Sequence, residues 1–208
     1  MKALFGTDGI RGEAGQFPLD PATVNAIGFS LASHLASTAG AAPEIVIGRD
    51  TRESGESIQQ ALVDGAGRAG AKCVSAGVIT TPGVAFLTRK HQAAAGVVIS
   101  ASHNPYHDNG IKIFAPSGQK MDDSVERLIE ADVYANPAQP LSSQLTFSTE
   151  NEEKLQQEYL SFLTGEIGEG LRLQGLTIVI DCANGASSKL APALFSQLGA
   201  KVISINCS

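Results

Sequence analysis

The feature that most constrains this chain is a repeated alternation of short apolar runs with polar or glycine-bearing turns and helical patterns. The run 44–48 gives way to Arg49-Asp50-Thr51-Arg52-Glu53-Ser54-Gly55, then to Ile58, Leu62, Ala66 and Ala69 at helical spacing, closed by Gly70. The run 72–75 is followed by a connection over 77–81 and a helix opened by Pro82 and lasting to about His91. The run 177–181 passes through Cys182-Ala183-Asn184-Gly185-Ala186-Ser187-Ser188 into a helix over 189–198 and a strand over 201–206. Apolar runs of this length with helices between them call for parallel strands and crossover helices. The expected class is α/β, a layered α/β/α domain with a mixed sheet and then a second, incomplete α/β unit.

Helix signals mark the remaining boundaries. Asp20 followed by Pro21 is an N-cap with proline in the first turn, and Val24, Ile27, Leu31 and Leu35 continue at core spacing up to Gly40. Asp122 opens a helix with Val125, Leu128, Ile129 and Val133 on its apolar side. Residues 136–149 hold two prolines and several Ser and Gln without periodicity, and read as a linker. A polar helix follows over 150–163. The expected domains are therefore 1–140 and 150–208. The second ends on a strand bearing Val202, Ile203 and Ile205, an edge expected to be mobile or to drive self-association.

Composition narrows the function. A net charge of −6 argues against a nucleic-acid partner, which needs a basic face. No apolar run reaches the ~18 residues that span a bilayer, and the opening Met1-Lys2-Ala3-Leu4-Phe5-Gly6 is no signal peptide. Cys73, Cys182 and Cys207 are odd in number and far apart, which fits reduced thiols and a cytoplasmic location.

The chemistry concentrates where the run 93–98 opens into Ile99-Ser100-Ala101-Ser102-His103-Asn104-Pro105 and polar residues continue to Gly110. An alternating segment, Ile111-Lys112-Ile113-Phe114, then returns, with Lys112 facing away from the two isoleucines. Strand-end loops are where open α/β sheets hold ligands. A hydroxyl, an imidazole and an ammonium together suit a nucleophile, its base and a phosphate counter-charge, although Ser, His and Asn also serve as plain turn formers. Upstream, Phe5-Gly6-Thr7-Asp8-Gly9-Ile10-Arg11-Gly12 is either an anion cradle with Arg11 as donor or a tight surface turn. Arg49-Asp50-Thr51-Arg52 is either an ion-paired scaffold, the favoured reading, or a phosphate clamp.

Several alternatives lack their motifs. Ser102 is not in a G-x-S-x-G elbow, and neither a P-loop nor a dinucleotide fingerprint is present. Pro105 lies between His103 and His107 and disfavours a helical zinc pair. A serine among His, Lys and Gly/Arg loops suits phosphoryl transfer, which relies on positioning and charge neutralisation.

Three stretches together resemble the α-D-phosphohexomutase superfamily: Phe5–Gly12, Gly48-Arg49-Asp50-Thr51-Arg52, and Ile99-Ser100-Ala101-Ser102-His103-Asn104-Pro105-Tyr106 with Asp108-Asn109-Gly110-Ile111-Lys112. Asp181-Cys182-Ala183-Asn184-Gly185-Ala186 resembles the start of its second domain. The resemblance implies that Ser102 carries a phosphoryl group and ligates Mg²⁺ when phosphorylated. It also implies that Arg11 contacts the phosphoserine region, and that His103 and Lys112 act as acid/base or charge-stabilising groups. The wording Ser-Ala-Ser-His-Asn-Pro favours the branch that interconverts glucosamine 6-phosphate and glucosamine 1-phosphate through glucosamine 1,6-bisphosphate, for UDP-N-acetylglucosamine and cell-wall precursors. Mannose- or glucose-phosphate mutases, or a non-catalytic sugar-phosphate-binding or assembly module, are the alternatives. Family members are longer, and their Asp-Gly-Asp-x-Asp-Arg metal loop occurs nowhere in this sequence. The chain is therefore expected to be an N-terminal portion, inactive on its own.

Overall fold

The computed structural model describes residues 4–39, 42–135 and 149–207. A five-stranded mixed sheet is built from β1 (Ile10–Glu13), β2 (Glu44–Arg49), β3 (Lys72–Val78), β4 (Ala95–Ile99) and β5 (Asp108–Phe114). Its order is β1-β5-β4-β2-β3, with β4, β2 and β3 parallel and β5 antiparallel to both β4 and β1. All five residues of β4 are buried, as a central strand covered on both faces must be.

Alternate strand residues feed two separate cores. Ile45, Ile47, Val97, Ile99, Ile111 and Ile113 face one side, under α1 (Pro21–Ala39), α2 (Gly55–Arg68) and α4 (Asp123–Ala135). Val46, Ala76 and Val98 face the other, under α3 (Thr81–Lys90) and α5 (Glu152–Phe162). Helices α1 and α2 cross in near contact. A β-carbon on Gly65 would lie 1.9 Å from the Asn25 carbonyl oxygen, and one on Gly28 would lie 2.2 Å from that of Leu62. The Asp20 carboxylate accepts from the Thr23 backbone N–H at 3.0 Å, as expected of the cap.

A smaller unit follows. Strands β6 (Thr177–Asp181) and β7 (Lys201–Ile205) run parallel, linked through α6 (Leu190–Gln197). Helix α5, which precedes β6 in the chain, packs Leu155 and Tyr159 into the second core of the first sheet. Glu152 accepts from the Ser75 hydroxyl at 2.5 Å and Gln156 donates to the Ala76 carbonyl at 2.9 Å, pinning α5 to β3.

Four local expectations are corrected. The glycine-rich opening is not all loop: Ile10–Glu13 pairs with β5 because Gly110 opposite Arg11 leaves room for close backbones. Strand β5 begins at Asp108 rather than after Gly110, since buried Asn109 donates its amide to the Ser54 hydroxyl at 2.9 Å. Strand β3 continues to Val78 through a register shift opposite Ile47 and Gly48, with Gly77 at φ +66°. Leu128, placed on the apolar side of α4, is 49% exposed, so only Ile129 and Val133 reach full burial. Gly40 and all of the expected linker except Thr149 fall outside the described residues.

Candidate active site

Because β2 and β4 are parallel, their C-terminal ends carry two loops to the same edge of the sheet. Residues 50–54 follow β2 and residues 100–107 follow β4. The turn 183–187 after β6 faces them, and Thr80, Thr81 and Pro82 at the start of α3 complete a groove of about 1370 Å³. The Thr51 hydroxyl donates across it to the Asn184 carbonyl at 2.6 Å.

Ser102 lines this groove in a left-handed backbone conformation, φ +56°, and is exposed. A non-glycine residue held there costs about 1–3 kcal/mol, so its surroundings must impose the geometry. They do so in layers. The Ser102 N–H donates to the Ser100 hydroxyl at 3.0 Å, and that hydroxyl donates to Asp50 at 2.6 Å. Asp50, 8% exposed, takes the Ile99 carbonyl through its own N–H at 3.0 Å and pairs with Arg52 at 3.1 Å. Arg52 reaches across the base of the loop to its carbonyl oxygens. On the far side, a β-carbon at Gly110 would lie 2.8 Å from the Ser100 oxygen, so only glycine lets β5 approach this closely.

His103 also lines the groove. The other three histidines are engaged: His34 with Asp132 at 2.9 Å, His91 with Glu158 at 2.8 Å and His107 with Asp108 at 3.6 Å. Among the described residues, His103 makes no such contact, and it is exposed next to Ser102 in the loop.

Arg11 and Lys112 lie side by side. The register pairs Arg11 with Gly110, which puts Arg11 on the same face of the sheet as Lys112. Asp8 joins them, accepting from Lys112 at 2.5 Å and from Arg11 at 3.5 Å. Arg11 also donates to the Asn104 side-chain oxygen at 3.4 Å, linking this cation pair to the Ser102 loop. The opening loop is anchored from behind, where Glu130 on α4 accepts from the Leu4 and Phe5 N–H groups at 2.9 and 3.2 Å. Ser102 and His103 thus share the groove wall, while Arg11 and Lys112 form a neighbouring cluster tied to it through Asn104.

Residues 2–139 match the family described as phosphoglucomutase/phosphomannomutase, alpha/beta/alpha domain I. The chain belongs to this family. The similarity runs beyond the matched domain. Phosphoglucosamine mutase of Solibacter usitatus is 52% identical over 206 residues, covering 99% of this chain and 45% of that protein. Phosphoglucosamine mutase of Bdellovibrio bacteriovorus is 44% identical, covering 97% of this chain and 46% of its own length. A solved phosphoglucomutase/phosphomannomutase family protein from Burkholderia thailandensis superposes with a TM-score of 0.77 at 25% identity, over 100% of this chain and 44% of that one. The chain therefore spans a little under half the length of the curated relatives it matches. The layered first domain and the smaller β-α-β unit are the architecture expected of the family.

The Arg49-Asp50-Thr51-Arg52 stretch has the scaffold geometry favoured from its sequence: Arg52 pairs with Asp50, and Arg49 pairs with Glu56 at 2.6 Å. Sequence reasoning did not reach the link from Asp50 to Ser100, or the meeting of the 183–187 turn with the first domain. The signal for the former was a second serine two residues before Ser102 in a strand-end loop. Among the described residues, no three His, Cys, Asp or Glu side chains gather into a metal site. These residues alone therefore do not assemble a ligand set for a divalent cation. No helix of the described residues is long and apolar enough to cross a membrane.

Proposed function

We propose that this chain is the phosphoserine-bearing part of a phosphoglucosamine mutase, an isomerase that interconverts glucosamine 6-phosphate and glucosamine 1-phosphate. The observation that carries the reading is Ser102 itself, exposed at a strand end, held at φ +56° and facing a groove wide enough for a sugar bisphosphate. The names of the relatives add the substrate class.

In this reading the phosphoryl group leaves the Ser102 oxygen for the C1 hydroxyl of glucosamine 6-phosphate. The P–O bond to serine breaks, the P–O bond to the sugar forms, and the sugar's proton is taken up by a base while the serine oxygen regains one. His103 is the group placed to move these protons. The 1,6-bisphosphate turns over in the groove and returns its 6-phosphoryl group to Ser102, leaving glucosamine 1-phosphate for UDP-N-acetylglucosamine and cell-wall precursors. A phosphoserine carries about −1.5 to −2 charges at neutral pH. Arg11 and Lys112 supply positive charge beside the loop, and their shared use of Asp8 leaves both able to shift towards a phosphate. Mg²⁺, which the family implies, would be held at phosphorylated Ser102 and would add to that neutralisation, but the described residues alone do not complete its ligand set.

The domain division proposed is 1–140 with the phosphoserine loop and 150–208 as the start of the next domain, joined by 136–149. The outward face of β6 and β7, with Val179 64% exposed and Ile203 and Ile205 each 45% exposed, is the surface through which the isolated chain would self-associate.

The test is a coupled assay on the full-length protein with glucosamine, glucose and mannose phosphates, each with its 1,6-bisphosphate. The expected result is preference for the glucosamine substrate and no turnover by residues 1–208 alone. Preference for mannose or glucose phosphate would move the protein to another branch of the family. Binding without turnover in the full-length protein would make it a sugar-phosphate-binding module.

A further inference from the structure

Two arginines approach the Ser102 loop, and they differ in how fully their donors are engaged. Arg11 makes two long contacts, at 3.4 and 3.5 Å, and its side chain is 35% exposed. The Arg52 side chain is 11% exposed, and its guanidinium bonds in all directions. Nε donates to Asp50 at 3.1 Å. Nη1 donates to the Pro105 carbonyl at 2.5 Å and the Asp108 carbonyl at 2.9 Å. Nη2 donates to the Ser102 carbonyl at 3.0 Å and the Asn104 carbonyl at 2.8 Å. A guanidinium has five N–H donors in a fixed planar fork, and here each has an acceptor.

We infer that Arg52 is a positioning residue for phosphoryl transfer, a template that fixes the Ser102 backbone through four loop carbonyls and keeps no donor for a phosphate. The inference rests on the reading of Ser102 as the phosphoryl carrier.

The geometry explains why an arginine is needed. The four carbonyls belong to residues 102, 104, 105 and 108, so the loop must curl around one point for all of them to face inward. Carbonyl oxygens turned towards each other repel unless a cation lies between them. A planar fork spans four such oxygens, whereas an ammonium is a point donor with three hydrogens on a flexible stem. The Asp50 carboxylate fixes the fork at its Nε edge and also accepts from Ser100, whose hydroxyl holds the Ser102 N–H. Ser102 is therefore held at both its N–H and its carbonyl by the same Asp50–Arg52 pair. Its side-chain oxygen is left free, since it makes no hydrogen bond to the described residues. This arrangement turns the hydroxyl towards the groove at a φ that serine does not favour.

A template and a phosphate clamp predict different kinetics. Loss of a clamp weakens substrate binding. Loss of a template misplaces the nucleophile, and a displacement of about 1 Å can cost roughly 100-fold in rate. The experiment compares Arg52→Lys, Asp50→Asn, Ser102→Ala and a surface control, Lys72→Met, in the full-length protein. Steady-state kinetics are read together with thermal melts and amide exchange over residues 100–110. For Arg52→Lys we expect kcat to fall by about 100-fold with KM for the sugar phosphate within about threefold. We also expect faster exchange confined to residues 100–110 and a cooperative melt. Lysine keeps the charge, so its failure to rescue is part of the claim. Asp50→Asn should show the same kcat-selective loss in smaller degree, and Lys72→Met none.

A rise in KM with kcat preserved would make Arg52 a phosphate clamp and overturn the proposal, as would wild-type kinetics in Arg52→Lys. Loss of cooperative melting in both Arg52→Lys and Asp50→Asn would make the pair a folding element and overturn it equally. Ser102→Ala separates the two layers of the argument. If that variant retains turnover, the phosphoserine reading fails. If it is inactive while Arg52→Lys is normal, only the positioning role fails.

Discussion

Two strand-end turns face each other across the groove, and they are held in different ways. The 100–107 loop leaves β4, a strand buried along its whole length. The 182–187 turn leaves β6, whose residues alternate between exposed and half-buried. Both carry non-glycine residues at positive φ: Ser102 at +56° in the first, Ala183 at +48° and Asn184 at +51° in the second. In the first, side chains impose the strain, through Ser100 within the loop and Asp50 and Arg52 from the loop after β2. In the second, the support comes from the ends of β6 and β7, with the Thr51 hydroxyl on the Asn184 carbonyl. Asp181 accepts from the Ala183 N–H at 2.8 Å and from the Asn206 side chain at 3.0 Å, and the Asn184 N–H donates to the Asn206 carbonyl at 2.6 Å. The backbone N–H of Ala183, then Asn206, holds the Asp181 carboxyl below the usual carboxylate range. The two turns thus differ in the burial of their support: the Ser102 loop is held by a buried Asp50–Arg52 pair, and the opposing wall by exposed groups at the ends of β6 and β7.

The sharpest way to break this comparison is Ser102→Ala in the full-length protein. Turnover should fall by roughly a thousandfold or more, because the group that carries the phosphoryl is gone. The melting temperature should stay within a few degrees. Near-normal kcat would remove the reason for distinguishing the two turns.

Next in size is the frame itself. Asp50→Ala leaves Arg52 without its carboxylate and Ser100 without its acceptor in a buried setting. The variant should lose about 3 kcal/mol of unfolding free energy in urea titration. Asp181→Ala in the exposed turn should lose under about 1 kcal/mol. Equal losses would mean that the two turns are supported alike.

Glycine substitution measures the strain directly. Ser102→Gly and Ala183→Gly should each relieve a left-handed side-chain conformation, for a gain of up to about 1 kcal/mol in unfolding free energy. Only Ser102→Gly should abolish turnover. A large activity loss in Ala183→Gly would place that turn in the reacting geometry.

A last contrast, with no consequence for turnover, is between the thiols. Cys73 is buried on β3 beneath α2, and burial pushes its thiol up to about 12. At pH 8 an alkylating reagent should label half-buried Cys207 well before Cys73. The unfolded thiol ionises near 9.0, so the native state holds the proton more tightly between pH 9 and about 12. Stability should fall as pH rises through that window, by about 1 kcal/mol per pH unit. Cys73→Ala should lack that part of the alkaline loss.

Much of this was legible in the chain. The apolar runs at 44–48, 72–75 and 93–98 located the three parallel strands β2, β3 and β4, of which β2 and β4 are central and nearly all apolar because both their faces are covered. Ser102 and His103 were legible as a polar loop after such a strand, and Arg11 and Lys112 through the family motif. Strand β1 was not legible, since Arg11 and Gly12 lack strand propensity and owe their conformation to the β5 backbone beside them. Nor was the packing of α5: its Leu155 and Tyr159 look like a weak apolar stripe until Ile79 and Val84 are placed opposite. The role of Arg52 was hidden for a related reason. Its acceptors are backbone carbonyls some fifty residues away, and carbonyls carry no mark in a sequence.

The central claim is that Ser102 carries the phosphoryl group. Its most direct test is peptide mapping by mass spectrometry of the full-length protein after incubation with glucosamine 1,6-bisphosphate, with a phosphatase-treated sample alongside. The account predicts a single phosphoryl group, located on Ser102, acquired from the bisphosphate and absent from Ser102→Ala. An unmodified Ser102 under conditions of active turnover, or a phosphoryl group transferred to another residue, would contradict it.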